Sequence, residues 1–269
     1  MEQTDAIILR ATVWSETSFV IVALTRDLGK LSAVAKGARR PKSAFEGSLD
    51  LLSQCRVVVL QKSGDSLDIL TEAKLQRRYR AAETSTDRLH AGYYVVETLR
   101  ELTEANDPHP ELFQLTVDTI ERLDPPSLRR TSPDAMDDSP HPAKSSHHPP
   151  VPDTVLFFEL QMLRLLGHTP GLDQCVQCGG DLPAKRPSLL FAMDHGGLMC
   201  GTCPVASSRA VMLHRDTIET MQRWSMPDPD GTLLEAPLAQ PMRSQMRSAI
   251  GGYMLSLVGH GMRTLRYLN

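Results

Sequence analysis

Two cysteine pairs near the middle of the chain constrain its fold more than any other feature of the sequence. They are Cys175-Val-Gln-Cys178 and Cys200-Gly-Thr-Cys203, with 21 residues between the pairs. The spacing within each pair lets two thiolates reach one ion from a tight turn, and two such turns joined by a hairpin build a tetrahedral S₄ site. Four thiolates fill the coordination sphere of zinc. We therefore expect one structural Zn²⁺ per chain, bound by Cys175, Cys178, Cys200 and Cys203.

Weaker interpretations of the cysteines stay open. One is that some of them are merely buried or that the metal site is vestigial, and another is that His195 replaces one cysteine as a ligand. The fifth cysteine, Cys55, falls in a strand pattern, which indicates a core position. A zinc deaminase needs a proline directly before a CxxC pair, and neither pair follows one. Five unevenly placed cysteines are too few for a disulfide scaffold, and two CxxC pairs in a reducing compartment indicate a metal site.

The first 80 residues predict a small β-barrel. Short segments rich in β-branched residues are separated there by glycine or polar breaks, a pattern typical of strands. The five segments are 6–9, 19–24, 31–35, 55–60 and 67–70. Five strands in about 75 residues fit a small closed barrel, either an OB-fold or an SH3-like barrel, and periodicity alone leaves both open.

From about residue 84 onward, apolar residues recur at helical spacing. The first helical stripe includes Leu89, Tyr93 and Leu102. Further helices are predicted to begin at His109-Pro110-Glu111, to follow Asp153 through Leu166, to run from 216 to 224 and to extend from about 239 to 258. The chain thus changes from strands to helices after its first third.

Residues 125–152 interrupt the helical pattern. They contain eight prolines among many serine, aspartate and histidine residues. Such a stretch cannot bury enough apolar surface to offset its chain entropy, so it predicts a disordered insertion between two helices.

The charge is unevenly distributed, although 29 Lys and Arg nearly balance 32 Asp and Glu and give a net charge of −3. Residues 26–45 carry six cations and one anion, whereas residues 81–124 carry ten acids and three cations. This polarity favours a local phosphate-binding surface over a merely solvated face. The candidate nucleic-acid contacts are Lys30, Lys36, Arg39, Arg40 and Lys42, with Trp14 and Phe45 as possible base-stacking residues.

Several functional classes lack their motifs in this sequence. Gly29-Lys30 has no P-loop glycine before it, and HExxH, GxSxG and a strand-linked GxGxxG are absent, so no enzymatic activity is expected. The acidic start lacks the features of a secretory signal, and no apolar stretch reaches the roughly 20 residues of a membrane span. A soluble, cytoplasmic protein is expected.

Several stretches together resemble the zinc-bearing form of the RecO family of recombination mediators, also called DNA repair protein RecO. In the N-terminal part they are 6–9, 16–18, 24–31 and 35–43. In the central part they are 158–160, 165–170, 175–179, 191, 196–197 and 200–203, and the basic ending 263–268 is similar as well. The similarity runs in order over most of the chain, fails in 125–152 and is weak from about 206 to 240.

The resemblance implies an α+β multidomain chain. Its parts would be an N-terminal five-stranded OB-fold barrel and a C-terminal all-helical domain with an inserted Cys₄ zinc module. The expected boundaries are 1–80 for the DNA-binding OB-fold, 81–170 and 207–269 for the helical domain, and 171–206 for the zinc module.

The resemblance also implies a function in DNA repair. It implies binding of single- and double-stranded DNA, annealing of complementary strands without ATP, and association with the nucleoid. It implies work with RecR and with the C-terminal tail of single-stranded-DNA-binding protein to load RecA at gaps. The alternative from another class is a zinc-ribbon protein–protein adaptor without direct DNA binding. A zinc-dependent nucleic-acid enzyme is disfavoured, because a full S₄ shell leaves no position for an activated water.

Overall fold

The computed structural model describes residues 1–45, 47–62, 66–83, 85–124, 149–204, 209–228, 231–234 and 236–268. The chain forms two compact units, Met1–Arg130 and Thr131–Asn269. The predicted insertion 125–152 lies outside the described residues except for its last four positions.

Five strands of the first unit form a closed barrel. They are β1 (Glu2–Val13), β2 (Phe19–Thr25), β3 (Gly29–Ala35), β4 (Gln54–Leu60) and β5 (Asp68–Arg77). The strand order is β1-β2-β3-β5-β4, and β1 pairs with β4 to close the ring. All pairs are antiparallel except β3 with β5, where Ala33 lies opposite Asp68. A five-stranded closed barrel with this order is OB-like, which confirms the predicted fold class.

The barrel core explains why all five strands are visible in the sequence, although the predicted segments 6–9 and 67–70 are much shorter than β1 and β5. Ala6 and Ile8 of β1 point into the core together with Ile21, Val57 and other buried apolar residues. Ile7 and Leu9 lie on the opposite face of β1 and are also buried, since α1 packs on this strand. Burial on both faces accounts for the unbroken apolar run. The strand continues beyond the predicted Leu9, because its exposed part to Val13 still pairs with β2 after a β-bulge.

Two α-helices follow the barrel in the described part of the first unit, α1 (Thr86–Leu102) and α2 (Pro110–Leu123). Ser85 caps α1, and its hydroxyl accepts from the backbone N–H of Arg88. Pro110 stands at the start of α2, as predicted. The predicted apolar stripe of α1 is wrong at Tyr93, which is exposed, while the adjacent Tyr94 is fully buried.

Asp124 joins the end of α2 to the segment after the barrel. Its buried carboxylate accepts from the backbone N–H groups of Arg80 and Ala81 and from the guanidinium of Arg77 at 3.2 Å. The end of α2 is thereby tied to the end of β5 and to the segment that leads into α1.

The described residues of the second unit form three α-helices and a small sheet. The helices are α3 (Val151–Leu165), α4 (Arg215–Trp224) and α5 (Gln240–Val258), and the strands are β6 (Ser188–Ala192), β7 (Gly197–Met199) and β8 (Ala210–His214) in the order β7-β6-β8. The predicted start of α3 after Asp153 is wrong by three residues. Pro150 occupies the N-cap and Pro152 lies in the first turn, where a missing N–H costs nothing.

Helix α3 is the centre of this unit, since every residue from Asp153 to Leu163 is buried. Its two buried acids are paired with α5. Asp153 binds the guanidinium of Arg243 and the backbone N–H of Leu238 at 2.8 Å, and Glu159 binds Arg247 at 2.7 Å. A buried carboxylate is tolerated only with such partners, so these pairs fix the register of the two helices.

The domain boundaries stay a prediction. The compact units group α1 and α2 with the barrel, whereas the predicted scheme assigns them to the helical domain. In the part of the chain that the structure describes, no helix combines the length and apolar character required to cross a bilayer.

Candidate metal centre and nucleic-acid interface

The four cysteines of the two pairs converge on one point. The sulfur atoms of Cys175, Cys178, Cys200 and Cys203 all lie within 4.8 Å of one another. Two of the separations are 3.9 Å, from Cys178 to Cys200, and 3.6 Å, from Cys200 to Cys203. A tetrahedral zinc site with Zn–S bonds of about 2.3 Å has S···S edges of about 3.8 Å. These distances fit a metal shell and exclude disulfides, in agreement with five free thiols.

Each cysteine pair lies in a turn that presents its sulfurs. The first pair is held against the small sheet, where the N–H of Val176 donates to Leu198 of β7 at 3.0 Å. Gly197 at the start of β7 allows this close approach, because a Cβ atom there would lie 2.2 Å from the Val176 side chain. The second pair follows directly after β7, and its Gly201 has a φ of +85°. The β6–β7 hairpin thus brings the two turns together.

Local hydrogen bonds favour the thiolate form at two of the four cysteines. The pKa of the Cys200 thiol is lowered to about 5, because the Thr202 hydroxyl, 3.0 Å away, and nearby backbone N–H groups donate to its sulfur. Burial raises the pKa of Cys175, but the N–H groups of Cys178, Cys200 and Gln177 outweigh it and the net shift is downward. Thiolates are the ligands that a thiophilic divalent cation prefers, so these pKa shifts suit metal binding.

Cys203 shows why the cluster suits a cation. Its pKa is raised to about 12, because hydrogen bonding with the sulfurs of Cys178 and Cys200, together with burial, favours the protonated thiol. Four adjacent sulfurs cannot all ionise on their own, because their negative charges repel one another, and a central divalent cation removes that repulsion.

His195 is not part of the four-residue group and lies in a 3₁₀ turn after β6. Cys55 is fully buried in the barrel, as predicted, and burial and Asp50 raise its pKa to about 12.

The basic segment after β3 folds back onto the tip of the β1–β2 hairpin. The backbone N–H of Arg39 donates to Thr17 O at 3.1 Å, and its guanidinium donates to Ser15 O at 3.1 Å. The same guanidinium lies 5.9 Å from the centre of the Phe19 ring. Arg39 therefore braces the basic segment against the hairpin.

A groove of about 380 Å³ lies between the hairpin tip and the basic segment. Trp14, Lys36 and Arg40 line it together with small and hydroxyl-bearing residues of both segments. Trp14 is 65% exposed, although tryptophan is usually buried. Four of the five predicted DNA contacts, Lys36, Arg39, Arg40 and Lys42, are exposed, and two of them, Lys36 and Arg40, line the groove.

Lys30 does not lie with the other four predicted contacts. Its ammonium group donates to the carbonyls of Arg100, at 2.7 Å, and Thr103, at the C-terminal end of α1. Burial lowers the pKa of Lys30, while Glu104 and Glu101 oppose that shift. This lysine is engaged by the helix end rather than presented to solvent.

Of the aromatic candidates, Phe45 is wrong as a stacking residue. It is 5% exposed and belongs to the barrel core. The sequence does not distinguish a stacking position on the surface from a core position for an apolar residue that follows a basic stretch. Strand β8 was also missed, although 210–213 form a short apolar run in the sequence.

Fold and site together define a class of protein: a chain that joins an OB-like barrel with a basic groove to a helical unit bearing a Cys₄ centre. The family model described as recombination protein O N terminal matches residues 1–79. The one described as recombination protein O C terminal matches 83–134 and 144–266. The chain therefore belongs to the recombination protein O (RecO) family of DNA repair mediators. Recombination and DNA binding are functions that fit this family.

Curated relatives carry the same family name. A DNA repair protein RecO from Rhodopirellula baltica is 42% identical over 217 residues, which cover 81% of this chain and 72% of the relative. The DNA repair protein RecO of Anaeromyxobacter sp. strain K is 29% identical over 266 residues, 98% of this chain and 94% of the relative. That of Myxococcus xanthus is 28% identical over 264 residues, 98% and 95% respectively.

Proposed function

We propose that this protein is a recombination mediator that binds single- and double-stranded DNA through its barrel and anneals complementary strands without ATP. The observation that carries the proposal is the basic groove on the OB-like barrel, where Lys36 and Arg40 flank an exposed tryptophan. Membership of the RecO family supports the same function.

The proposed DNA surface consists of Lys36, Arg40 and Lys42, with Arg39 as the residue that holds the groove together. We leave Lys30 out, because its ammonium group is engaged by the end of α1. Lysine and arginine contacts to phosphates give affinity with little regard to sequence, as expected of a protein that acts at any gap.

Annealing without a nucleotide has a simple electrostatic basis. Two strands repel each other through their phosphates, and bound cationic side chains lower that repulsion while counterions are released. A short basic segment leaves most bases of a bound strand free to pair. The exposed position of Lys36, Arg40 and Lys42 suits this mode of action.

We further propose that the Cys₄ centre holds one structural zinc ion. Four sulfurs at tetrahedral spacing leave no ligand position for water, so the ion would organise the β6–β7 hairpin and its flanking turns rather than activate a substrate. No catalytic residue is proposed.

The proposed partners follow from the family resemblance. They are RecR and the C-terminal tail of single-stranded-DNA-binding protein, with which the protein would help to load RecA at coated gaps. Binding to the chromosome would hold the protein at the nucleoid. The proposed domain scheme is an OB-fold at 1–80, a helical domain at 81–170 and 207–269, and the zinc module at 171–206.

The decisive experiment reverses the charge of the two cations that line the groove. We expect Lys36→Glu with Arg40→Glu to abolish annealing and to weaken binding of oligo-dT. The log–log salt slope should become shallower by about 1.4, since each phosphate contact contributes about 0.7 for single strands. Thermal unfolding should stay unchanged, because both side chains are exposed.

The matched control is Lys185→Glu with Arg223→Glu, which changes the net charge equally at two exposed positions of the second unit. It should retain annealing. An equal loss of annealing in both variants would show that the effect depends only on net charge. Full annealing by the groove variant would refute the proposed DNA surface. If the unaltered protein does not bind DNA even at low salt, the alternative of a protein–protein adaptor is favoured.

A further inference from the structure

The groove beside the hairpin tip has a property that cations alone do not explain. Its lining combines a largely exposed indole, that of Trp14, with the ammonium of Lys36 and the guanidinium of Arg40. Among the described lining residues there is no carboxylate, and the serine and threonine hydroxyls supply neutral polar groups. This is a surface for a ligand with a flat aromatic part and a negative charge beside it.

The position of Trp14 is fixed before any ligand arrives. It follows Val13, the last residue of β1, which pairs with Phe19 of β2. The N–H groups of Trp14 and Ser15 donate to Ser18 O at 3.0 and 3.3 Å, which closes the hairpin tip. A side chain on a hydrogen-bonded hairpin loses little backbone freedom on binding, so less of its contact energy is offset by ordering costs.

The opposite wall of the groove is equally preformed. Arg39 binds the carbonyls of Ser15 and Thr17, and the N–H of Arg40 donates to Gly37 O at 3.0 Å. Gly37 has a φ of +74° and lets the chain turn there. The backbone that carries Lys36 and Arg40 is therefore held beside the hairpin tip, and both side chains line the groove.

We propose that this groove is a single-strand-specific nucleotide subsite, in which one unpaired base stacks on Trp14 while Lys36 and Arg40 bind the adjoining phosphates. In a duplex each base face is already covered by its neighbours, so Trp14 gains nothing there and only the cations contribute. This inference rests on the proposed function and adds to it a residue that separates single from double strands.

The test uses the full-length protein and tryptophan fluorescence. The chain has two tryptophans, and the other, Trp224, is 1% exposed and donates to Leu233 O at 2.9 Å in the core of the second unit. Oligo-dT of about 12 nucleotides, within the site size of one OB-fold, should quench the emission of the unaltered protein. The Trp14→Phe variant should show no such quenching but should keep most of the affinity, since an aromatic face remains.

Trp14→Leu keeps an apolar side chain but removes the ring. We expect it to bind oligo-dT about 5- to 150-fold more weakly, which corresponds to 1–3 kcal/mol for one stacked base. Its affinity for duplex DNA, and for an oligomer of abasic deoxyribose phosphates, should stay within about two-fold of the unaltered protein, because the cations are unchanged.

Unchanged oligo-dT affinity in Trp14→Leu would overturn the subsite. So would an equal loss toward oligo-dT, duplex and abasic probes, which would indicate a damaged hairpin. Either result leaves the proposed function standing if reversal of Lys36 and Arg40 still abolishes annealing, so the two ideas fail separately.

Discussion

Replacement of Lys30 by methionine tests the separation of structural from DNA-binding cations in the barrel. Methionine keeps much of the apolar stem but removes the ammonium group that binds the carbonyls of Arg100 and Thr103. Those carbonyls belong to the C-terminal end of α1, where the helix itself supplies no N–H partner. The segment after α1 also lies against β3, where the N–H of Asn106 donates to Lys30 O at 2.9 Å.

The magnitude follows from these contacts. A hydrogen bond to a charged group is worth about 1.5–3 kcal/mol, and the half-buried ammonium has lost part of its hydration, so we expect a net destabilisation of about 2 kcal/mol. In a unit of this size that corresponds to a fall in Tm of about 6–8 °C. Amide hydrogen exchange in residues 99–107 should accelerate, because the helix end and the following segment lose their common anchor.

The matched control is Lys36→Met, the same substitution at an exposed lysine of the groove. Calorimetry should show an unchanged Tm for Lys36→Met and a lowered one for Lys30→Met. Binding of oligo-dT should show the reverse, with a salt slope that becomes shallower by about 0.7 only in Lys36→Met. A Lys30→Met protein of full stability that loses DNA affinity would refute this assignment and return Lys30 to the DNA surface.

Two further predictions concern the metal centre and the segment before α3. Metal analysis of the purified protein should give one zinc per chain. Cys175→Ser should lower that occupancy and His195→Ala should not, because the four sulfurs already complete the shell. Stoichiometric zinc in a Cys175/Cys178 double variant would contradict this prediction. Replacing 125–148 by a short Gly/Ser linker should leave Tm and DNA affinity unchanged. A deletion through Pro152 should lower Tm, because it removes the N-cap and part of the first turn of α3. A large loss of Tm or DNA affinity from the shorter replacement would show that this segment contributes to the fold.

The metal centre and the barrel were predictable because their signals are local. Two CxxC pairs specify the same chemistry wherever the chain places them, and the distances between their sulfurs fit that chemistry. The barrel strands are short and β-branched, and both faces of β1 are apolar where both are covered. Even so, the sequence left the barrel type open, because the parallel contact of β3 with β5 depends on chain topology rather than on periodicity.

The sequence was least informative where distant segments determine the surroundings of a residue. Lys30 belongs to a basic stretch by sequence, but its partners lie about 70 positions further on. Phe45 closes the same stretch and turns into the core. Near the start of α3 the prolines suggested a coil. Asp153 in the first turn of this helix is nevertheless paired with Arg243, which lies 90 positions further along the chain.

The strand order of the barrel has a consequence for synthesis of the protein. The meander β1-β2-β3 forms from neighbouring segments, but the ring closes only through β1 with β4 and β3 with β5. A ribosome that adds about 5–20 residues per second needs about 2–8 s to make Lys36 to Arg77. During that interval the inner face of the nascent meander, with Ile8, Ile21 and Leu31, has no partner. Chains released early would end as open sheets with two unpaired edges, and such edges associate with other chains.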